Sequence, residues 1–543
     1  MENKNVLIAF VLILIVWVGM TYFSPRPEIP QKAEEATITE RQTEGLSKDI
    51  ADENGQQPMA VIAKAPLIPA GSLVEKDLLV ETDTYLATFT TSGARLKSFI
   101  LKKYQQTPAA DSAEVSLVQV EKNILATLRT TGQGDFDLSS ETVFSVSIQD
   151  EHLVLQPGEQ QQVTFSTNTP RGLRVDKIFT FRGGEYDFDL EIRVTNSSSQ
   201  ALRGGLDLAL VHPWDESMVG SSHSFVGPAV YQNEKVHTYK VKKIEKEAIE
   251  FGSDAVWTAF EREYFMLAVA PKTGAGEKFR IVKTSDAVEN SIETPFLVLK
   301  AGEQVDFQYL LYYGPRDLDI LEKVDHQLEK AIDFGFFGLI ARPLLWVLKY
   351  FYQYVGNYGV AIILLTGIIK LIFWPLTQKS YKSMKSMQNL QPEMQKIREK
   401  FKTDKERMNK EIMGLYKTNR VNPAGGCLPM IVQIPVFFAL YKVLLGTIEL
   451  RHAPFIFWIQ DLAAKDPYYI TPIIMGATMF LQQKMSPTTM DPNQAKIFMF
   501  MPLIFTFMFL KFPSGLVLYW LVNNLLTILQ QWFIHRGSKT AVA

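Results

Sequence analysis

The feature that most constrains this chain is a set of long apolar runs that contain no acidic residue. Five lie in the second half, at 358–376, 427–446, 468–485, 497–512 and 516–534, and an uncharged run of 18 residues lies at 6–23. About 20 apolar residues in a helix cross the hydrocarbon of a bilayer, so each run reads as a membrane span. The first reads as an uncleaved anchor rather than a secretory signal. It is long for a signal's apolar region, no small-x-small site follows it, and Pro25 and Pro27 stand where cleavage would fall.

Charge divides the chain into two compartments. Residues 24–333 hold 32 Lys and Arg against 48 Asp and Glu, whereas residues 334–543 hold 23 against 9. The loop 377–420 carries 12 basic and 5 acidic residues, and the loop 447–467 carries two and three. The positive-inside rule places the first loop in the cytoplasm and the second outside. Six spans then put both termini in the cytoplasm and residues 24–357 outside, which in a bacterium is the periplasm.

The predicted fold is a multi-domain membrane protein: an all-α polytopic bundle, with a five-span core and an N-terminal anchor, bearing a large periplasmic antiparallel β-sandwich. Residues 1–23 are the anchor. Residues 24–72, rich in Pro, Glu, Gln, Ala and Thr, read as a flexible linker. Residues 73–333 carry the β signal. Tyr186, Phe188, Leu190, Ile192 and Val194 alternate with polar residues, and a run at 178–181 precedes them across Arg182-Gly183-Gly184-Glu185, which predicts a hairpin. The alternation recurs at 305–309, and a helix over 318–332 is expected to lead to the membrane. Residues 334–356, rich in Phe, Leu and Trp with Arg342 and Lys349 seven apart, predict an amphipathic helix lying in the interface. Residues 357–543 form the five-span core.

Within that core, 377–420 is a basic helical hairpin. Met387, Leu390, Met394, Ile397 and Phe401 are spaced 3, 4, 3 and 4, an apolar seam along a helix that Pro392 restarts. Thr403-Asp404-Lys405-Glu406 fits a capping box opening a second helix, whose face is Met408, Ile412, Leu415 and Tyr416. The charge exceeds what topology needs, so Lys396, Arg398, Lys400, Lys402, Lys405 and Arg407 are candidate docking residues. Ribosomal RNA and anionic phospholipid headgroups both suit them.

Lys370 is the strongest single candidate. It lies inside the second span, about 18 Å from the outer end and about 9 Å from the inner end at 1.5 Å per residue. Facing lipid it would cost roughly 2.5–3.5 kcal/mol. No span holds an acidic partner, so it either snorkels to the inner surface or faces a water-filled cavity open to the cytoplasm. Thr366, Gln433, Gln482, Asn523, Asn524 and Thr527 are further polar groups within spans, suited to helix–helix hydrogen bonds or to a wet face. Thirteen of 18 methionines fall in 334–543, and their flexible side chains suit varied apolar partners. The fourth and fifth spans are short, which favours local thinning of the bilayer.

Catalytic and metal-binding patterns are missing. There is no HExxH, Walker loop or GxSxG, the one cysteine is Cys427, and His212, His223 and His237 are scattered. This predicts no metal, no cofactor, no covalent chemistry and no DNA partner. A transporter with a periplasmic sensor domain is the alternative, but it needs coupling carboxylates or repeated spans. An intramembrane protease ranks lower, because no span holds Asp or Glu and Ser514-Gly515 lacks the nucleophile context.

Three segments bring in a family. Asn422-Pro423-Ala424-Gly425-Gly426-Cys427-Leu428-Pro429, Gln483-Lys484-Met485-Ser486-Pro487-Thr488 and Phe512-Pro513-Ser514-Gly515-Leu516-Val517-Leu518-Tyr519-Trp520 resemble, in order and spacing, the YidC-type membrane protein insertases of Gram-negative bacteria. The resemblance covers the whole chain. It implies a hydrophilic groove open to the cytoplasm and to lipid but closed outside, with Lys370, Thr366, Gln433, Tyr519, Trp520 and Asn523 as candidate groove residues. Many relatives carry arginine where Lys370 stands; lysine keeps the charge and lacks the planar fork. The resemblance further implies nascent membrane proteins as passengers, the ribosome and the Sec translocon as partners, and the bacterial inner membrane as location.

Overall fold

The computed structural model describes residues 74–120, 125–215, 218, 225–244, 248–272, 276–419, 421, 428–485 and 492–539. The expected anchor at 1–23, the linker at 24–72, His223, Cys427 and the motif residues 422–427 and 486–488 lie outside them.

The outer domain is the expected antiparallel sandwich, built from sheets of five, nine and six strands. Alternation explains the strand Asp187–Asn196: Phe188, Leu190, Ile192 and Val194 are fully buried, while Asp187, Asp189, Glu191 and Arg193 point outward. It pairs with Leu173–Arg182 on one side and Gln304–Pro315 on the other. The predicted hairpin turns at Gly184, whose φ of +91° suits glycine. Phe89, Phe165, Phe179, Phe181 and Phe188 fill the space between sheets. One pairing is parallel, Asp77–Glu81 with His152–Val154. His212 is a core residue, stacked 3.7 Å from Phe260, and burial pushes its ring down to about 3.

The helix expected over 318–332 forms only as Leu318–Leu321, capped by Asp317, followed by a 3-10 turn at Leu328–Ala331. His326 and Gln327 between them both adopt positive φ, which ends helical winding.

The helical region has eight labelled helices: α1 (Gly338–Val355), α2 (Tyr358–Asn389), α3 (Gln391–Lys400), α4 (Lys405–Thr418), α5 (Leu428–Gly446), α6 (Ile470–Met485), α7 (Pro492–Phe509) and α8 (Ser514–Lys539). By length and composition, α2 is the described helix apolar enough to cross a membrane. The stretches Ile431–Gly446 and Met499–Phe509 are apolar but shorter. The bundle is inside-out relative to a water-soluble one. Leu371, Ile372, Leu503 and Phe507 are each 67–73% exposed, while Lys370, Asn524, Thr527, Gln530 and Gln531 are buried. At 32 residues α2 is about 48 Å long, so it continues well past the roughly 30 Å of hydrocarbon and enters the basic hairpin.

The loop 447–467 fastens the starts of α2, α6 and α8 together. Asn357 caps α2 and donates to the Phe455 carbonyl at 2.9 Å. Gly359 is required there, because a Cβ would lie 2.0 Å from the Phe455 ring. Gly515 at the start of α8 donates to the Leu462 carbonyl. Asp466 accepts from Thr471, Tyr468 and Trp458. Lys349, expected merely to mark the interfacial face of α1, instead joins three carboxylates: Asp317 at 3.7 Å, Asp319 at 2.9 Å and Glu449. Burial disfavours its charge, but Glu449 and Asp319 outweigh that and hold its pKa above the ordinary lysine value. Arg451 donates to the Gln105 carbonyl at 2.6 Å and lies over the Phe265 ring, tying the loop to the sandwich.

Candidate functional site: a polar seam between two helices

The expected core residues gather around α8, whose polar side chains recur at Asn523, Thr527 and Gln530–Gln531, three or four residues apart and hence on one face. Lys370 of α2 is 8% exposed and donates to the Thr527 hydroxyl at 2.6 Å. Thr527 in turn donates to the Asn523 carbonyl at 2.6 Å. Both ends of the Lys370–Thr527 pair lie at similar depth. Lys370 is 12 residues into α2 and Thr527 13 into α8, about 18 and 20 Å from the two helix starts. The ammonium thus meets a side chain of the facing helix at a comparable count from that helix's start.

Toward the hairpin the seam continues. Gln530 donates to the Trp374 carbonyl at 3.4 Å, and Gln531 donates to the Tyr381 hydroxyl at 2.7 Å. Gln433 of α5 donates to the Asn523 side chain at 3.3 Å, and Asn524 to Thr478 of α6 at 3.4 Å. One helix thus hydrogen-bonds to three others, which fixes its rotation.

Other candidates are placed apart from the lysine. Thr366, one turn before Lys370 and buried, donates back to the Ile362 carbonyl of its own helix at 2.6 Å. Tyr519 is buried in the bundle core two turns from Thr527. Trp520, one turn before Asn523, packs into an aromatic cluster with Phe437, Phe505 and Phe509, at centroid distances of 4.9, 6.2 and 5.1 Å. Tyr381, Thr478 and the Gln530–Gln531 pair were not singled out by sequence reasoning. Two adjacent glutamines three and four residues past Thr527 were the available signal.

The hairpin has the predicted seam. Met387, Leu390, Met394, Met408, Ile412 and Tyr416 form a small buried cluster, with Ile397, Phe401 and Leu415 at its edge. The cap is displaced by one residue: Asp404, not Thr403, accepts from the Arg407 amide at 3.0 Å. Lys396, Lys400, Lys402 and Arg407 are exposed and Arg398 is half-buried, while the Lys405 side chain lies outside the described residues. Lys400 and Arg407 both lie over the Phe401 ring, at 5.5 and 5.3 Å. Among the described residues no cluster of His, Cys, Asp and Glu is arranged to hold a metal ion.

Known sequences match both halves. Residues 77–347 match the family described as the YidC periplasmic domain, and residues 350–541 the 60Kd inner membrane protein family. The chain is 44% identical over 552 residues to the membrane protein insertase YidC of Geobacter metallireducens, covering 100% of each. It is 47% identical over 466 residues to that of Geobacter sulfurreducens, covering 85% of this chain and 87% of the relative. Among solved structures, it is similar to an active YidC insertase with its first transmembrane domain resolved, at 19% identity and a TM-score of 0.36, covering 84% of this chain and 92% of that one.

Proposed function

The chain belongs to the YidC family of membrane protein insertases, and on that premise we propose how its own residues carry out insertion. It is an inner-membrane insertase with a periplasmic β-domain, and its passengers are nascent membrane proteins. It works without covalent chemistry, by offering a route of lower energy into the bilayer.

In this reading the acidic tail or short hydrophilic loop of a passenger enters the α2–α8 seam from the cytoplasm, drawn by Lys370. The passenger's apolar segment partitions beside α5, α7 and α8 and leaves into lipid. Hydrophobic transfer drives that step, and the membrane potential adds about 2.3 kcal/mol per charge per 100 mV for acidic tails. The exposed lysines and arginines of α3 and α4 dock the ribosome or anionic phospholipids. The outer domain faces the Sec translocon for larger passengers. Six spans with cytoplasmic termini complete the topology.

The observation that carries the mechanism is the state of Lys370. It is a buried charge with no carboxylate in reach and one protein acceptor among the described residues, so its remaining donors suit an incoming anion. The test is insertion of a single-span passenger by purified protein in liposomes. Lys370→Arg should retain activity, and Lys370→Glu should lose at least about 100-fold for passengers with acidic tails, since charge reversal replaces attraction by repulsion in a low dielectric. Full activity of Lys370→Glu with such passengers would refute the electrostatic route.

A further inference from the structure

The seam assigns a role to Thr527. We propose that Thr527 is a positioning residue that holds the Lys370 ammonium at mid-depth, preventing it from snorkelling to the inner surface, and yields the ammonium to a passenger carboxylate. The proposal rests on the reading that Lys370 attracts acidic tails.

Three observations carry it. First, a lysine about 9 Å from the inner end of the hydrocarbon has an obvious alternative, since its four-carbon stem can run along the helix and place the charge among headgroups. In the structure it does not do so, and it meets Thr527 across the helix interface at 2.6 Å. Second, the threonine is oriented for acceptance. Its hydroxyl proton is committed to the Asn523 carbonyl at 2.6 Å, which leaves oxygen lone pairs facing the ammonium. A hydroxyl free to rotate would lose that direction. Third, α8 is itself held in rotation by Gln433–Asn523, Asn524–Thr478 and Gln531–Tyr381. The acceptor is therefore presented by a fixed helix.

A neutral hydroxyl is a suitable holder. A carboxylate in its place would neutralise Lys370 and compete with the passenger, because hydrogen bonds between two ionised groups are much stronger than those to a neutral one. A hydroxyl keeps the charge in position at a strength that an acidic side chain exceeds.

The experiment uses the full chain in vesicles of phosphatidylethanolamine and phosphatidylglycerol, with two single-span passengers that differ only in carrying Asp or Asn in the translocated tail. Thr527→Val, which keeps the shape and removes the acceptor, should lower insertion of the Asp passenger about tenfold, the size of one charge-assisted hydrogen bond, and leave the Asn passenger unchanged. Thr527→Ser should match the natural protein. In a Lys370→Met background, Thr527→Val should have no further effect. Equal losses for both passengers, or a loss in Thr527→Ser as large as in Thr527→Val, would show that the residue only packs α8 and would overturn the proposal. Natural activity of Thr527→Val with the Asp passenger would overturn it as well. If Lys370→Met alone leaves the Asp passenger unaffected, the failure lies in the role given to Lys370; if Lys370→Met fails while Thr527→Val works, it lies in Thr527.

Discussion

Lys177 in the outer domain and Lys370 in the bundle are both buried, yet their ammonium groups are treated oppositely. Lys177 donates to three backbone carbonyls, those of Gly93, Ala94 and Leu128, at 3.1, 2.8 and 3.0 Å. Those residues all have positive φ, which turns their carbonyls toward one point. Every hydrogen of that ammonium is matched, and the side chain links the nine-stranded sheet to the turn of the five-stranded one. Lys370 has one hydroxyl. A saturated buried cation is a staple, because nothing that approaches can offer it a better set of acceptors. An unsaturated one stores unmet hydrogen-bonding capacity, and that capacity is available to a ligand.

Substituting each lysine by methionine should break the comparison if it is wrong. Lys177→Met leaves three buried carbonyls without their donor, at roughly 1–3 kcal/mol each, offset in part by no longer burying an ammonium. A net loss on the order of 3 kcal/mol is expected, read as a lower midpoint of chemical unfolding followed by outer-domain tryptophan fluorescence. Insertion at permissive temperature should be unchanged. Lys370→Met should do the reverse, keeping or raising stability while insertion of acidic-tailed passengers falls. If both variants changed stability alone, the two lysines would be equivalent and the contrast would fail.

A smaller effect is expected in the loop 447–467. Burial opposes the charge of Asp466, but the Thr471 hydroxyl and the amides of Thr471 and Tyr468, with the Trp458 indole, hold its carboxyl below the ordinary range. A depressed carboxyl contributes stability above its unfolded pKa near 4 and loses it as pH falls through the folded value. Asp466→Ala should therefore cost about 2 kcal/mol at neutral pH, the loss of charge-assisted bonds to two amides, a hydroxyl and an indole, and the difference from the natural protein should shrink on acidification. A constant difference down to pH 3 would mean that the carboxylate's charge is not what holds the loop.

How much of this was legible in the sequence depended on whether the signal was local. The strand 187–196 was legible because its alternation has period two. The hairpin seam from Met387 to Phe401 was legible because its spacing is helical. Lys370 stood out as a charge among apolar neighbours. Thr527 was legible as a polar group within a span but not as the partner of Lys370, since it is 157 residues away and no local pattern couples them. Lys177 shares strand parity with Val175, Phe179 and Phe181, so its burial was in principle readable; a lysine in a β-run is ordinarily taken as solvent-facing. The helix expected over 318–332 failed because hydrophobic spacing does not register the two positive-φ residues that interrupt it.

The smallest expected effect lies in the hairpin. Thr403 and Asp404 are both good N-caps, and Glu406 stands three residues after Thr403, so sequence alone favours the box that begins at Thr403. In the structure Asp404 accepts from the Arg407 amide, and its negative charge also complements the start of α4. Asp404→Ala should then loosen α4 by about 1 kcal/mol, whereas Thr403→Ala should be close to neutral. The first turn of α4 leads directly to Met408 in the hairpin cluster, so a frayed cap should be visible as faster amide hydrogen exchange at residues 407–412 in the full chain. The seam residues of α2 and α8 should exchange as before, because the hairpin cluster is separate from the bundle core. Faster exchange in Thr403→Ala than in Asp404→Ala would restore the cap that the sequence favours; spread of the effect to Tyr381 and Gln531 would instead show that the hairpin and the lysine seam open as one unit.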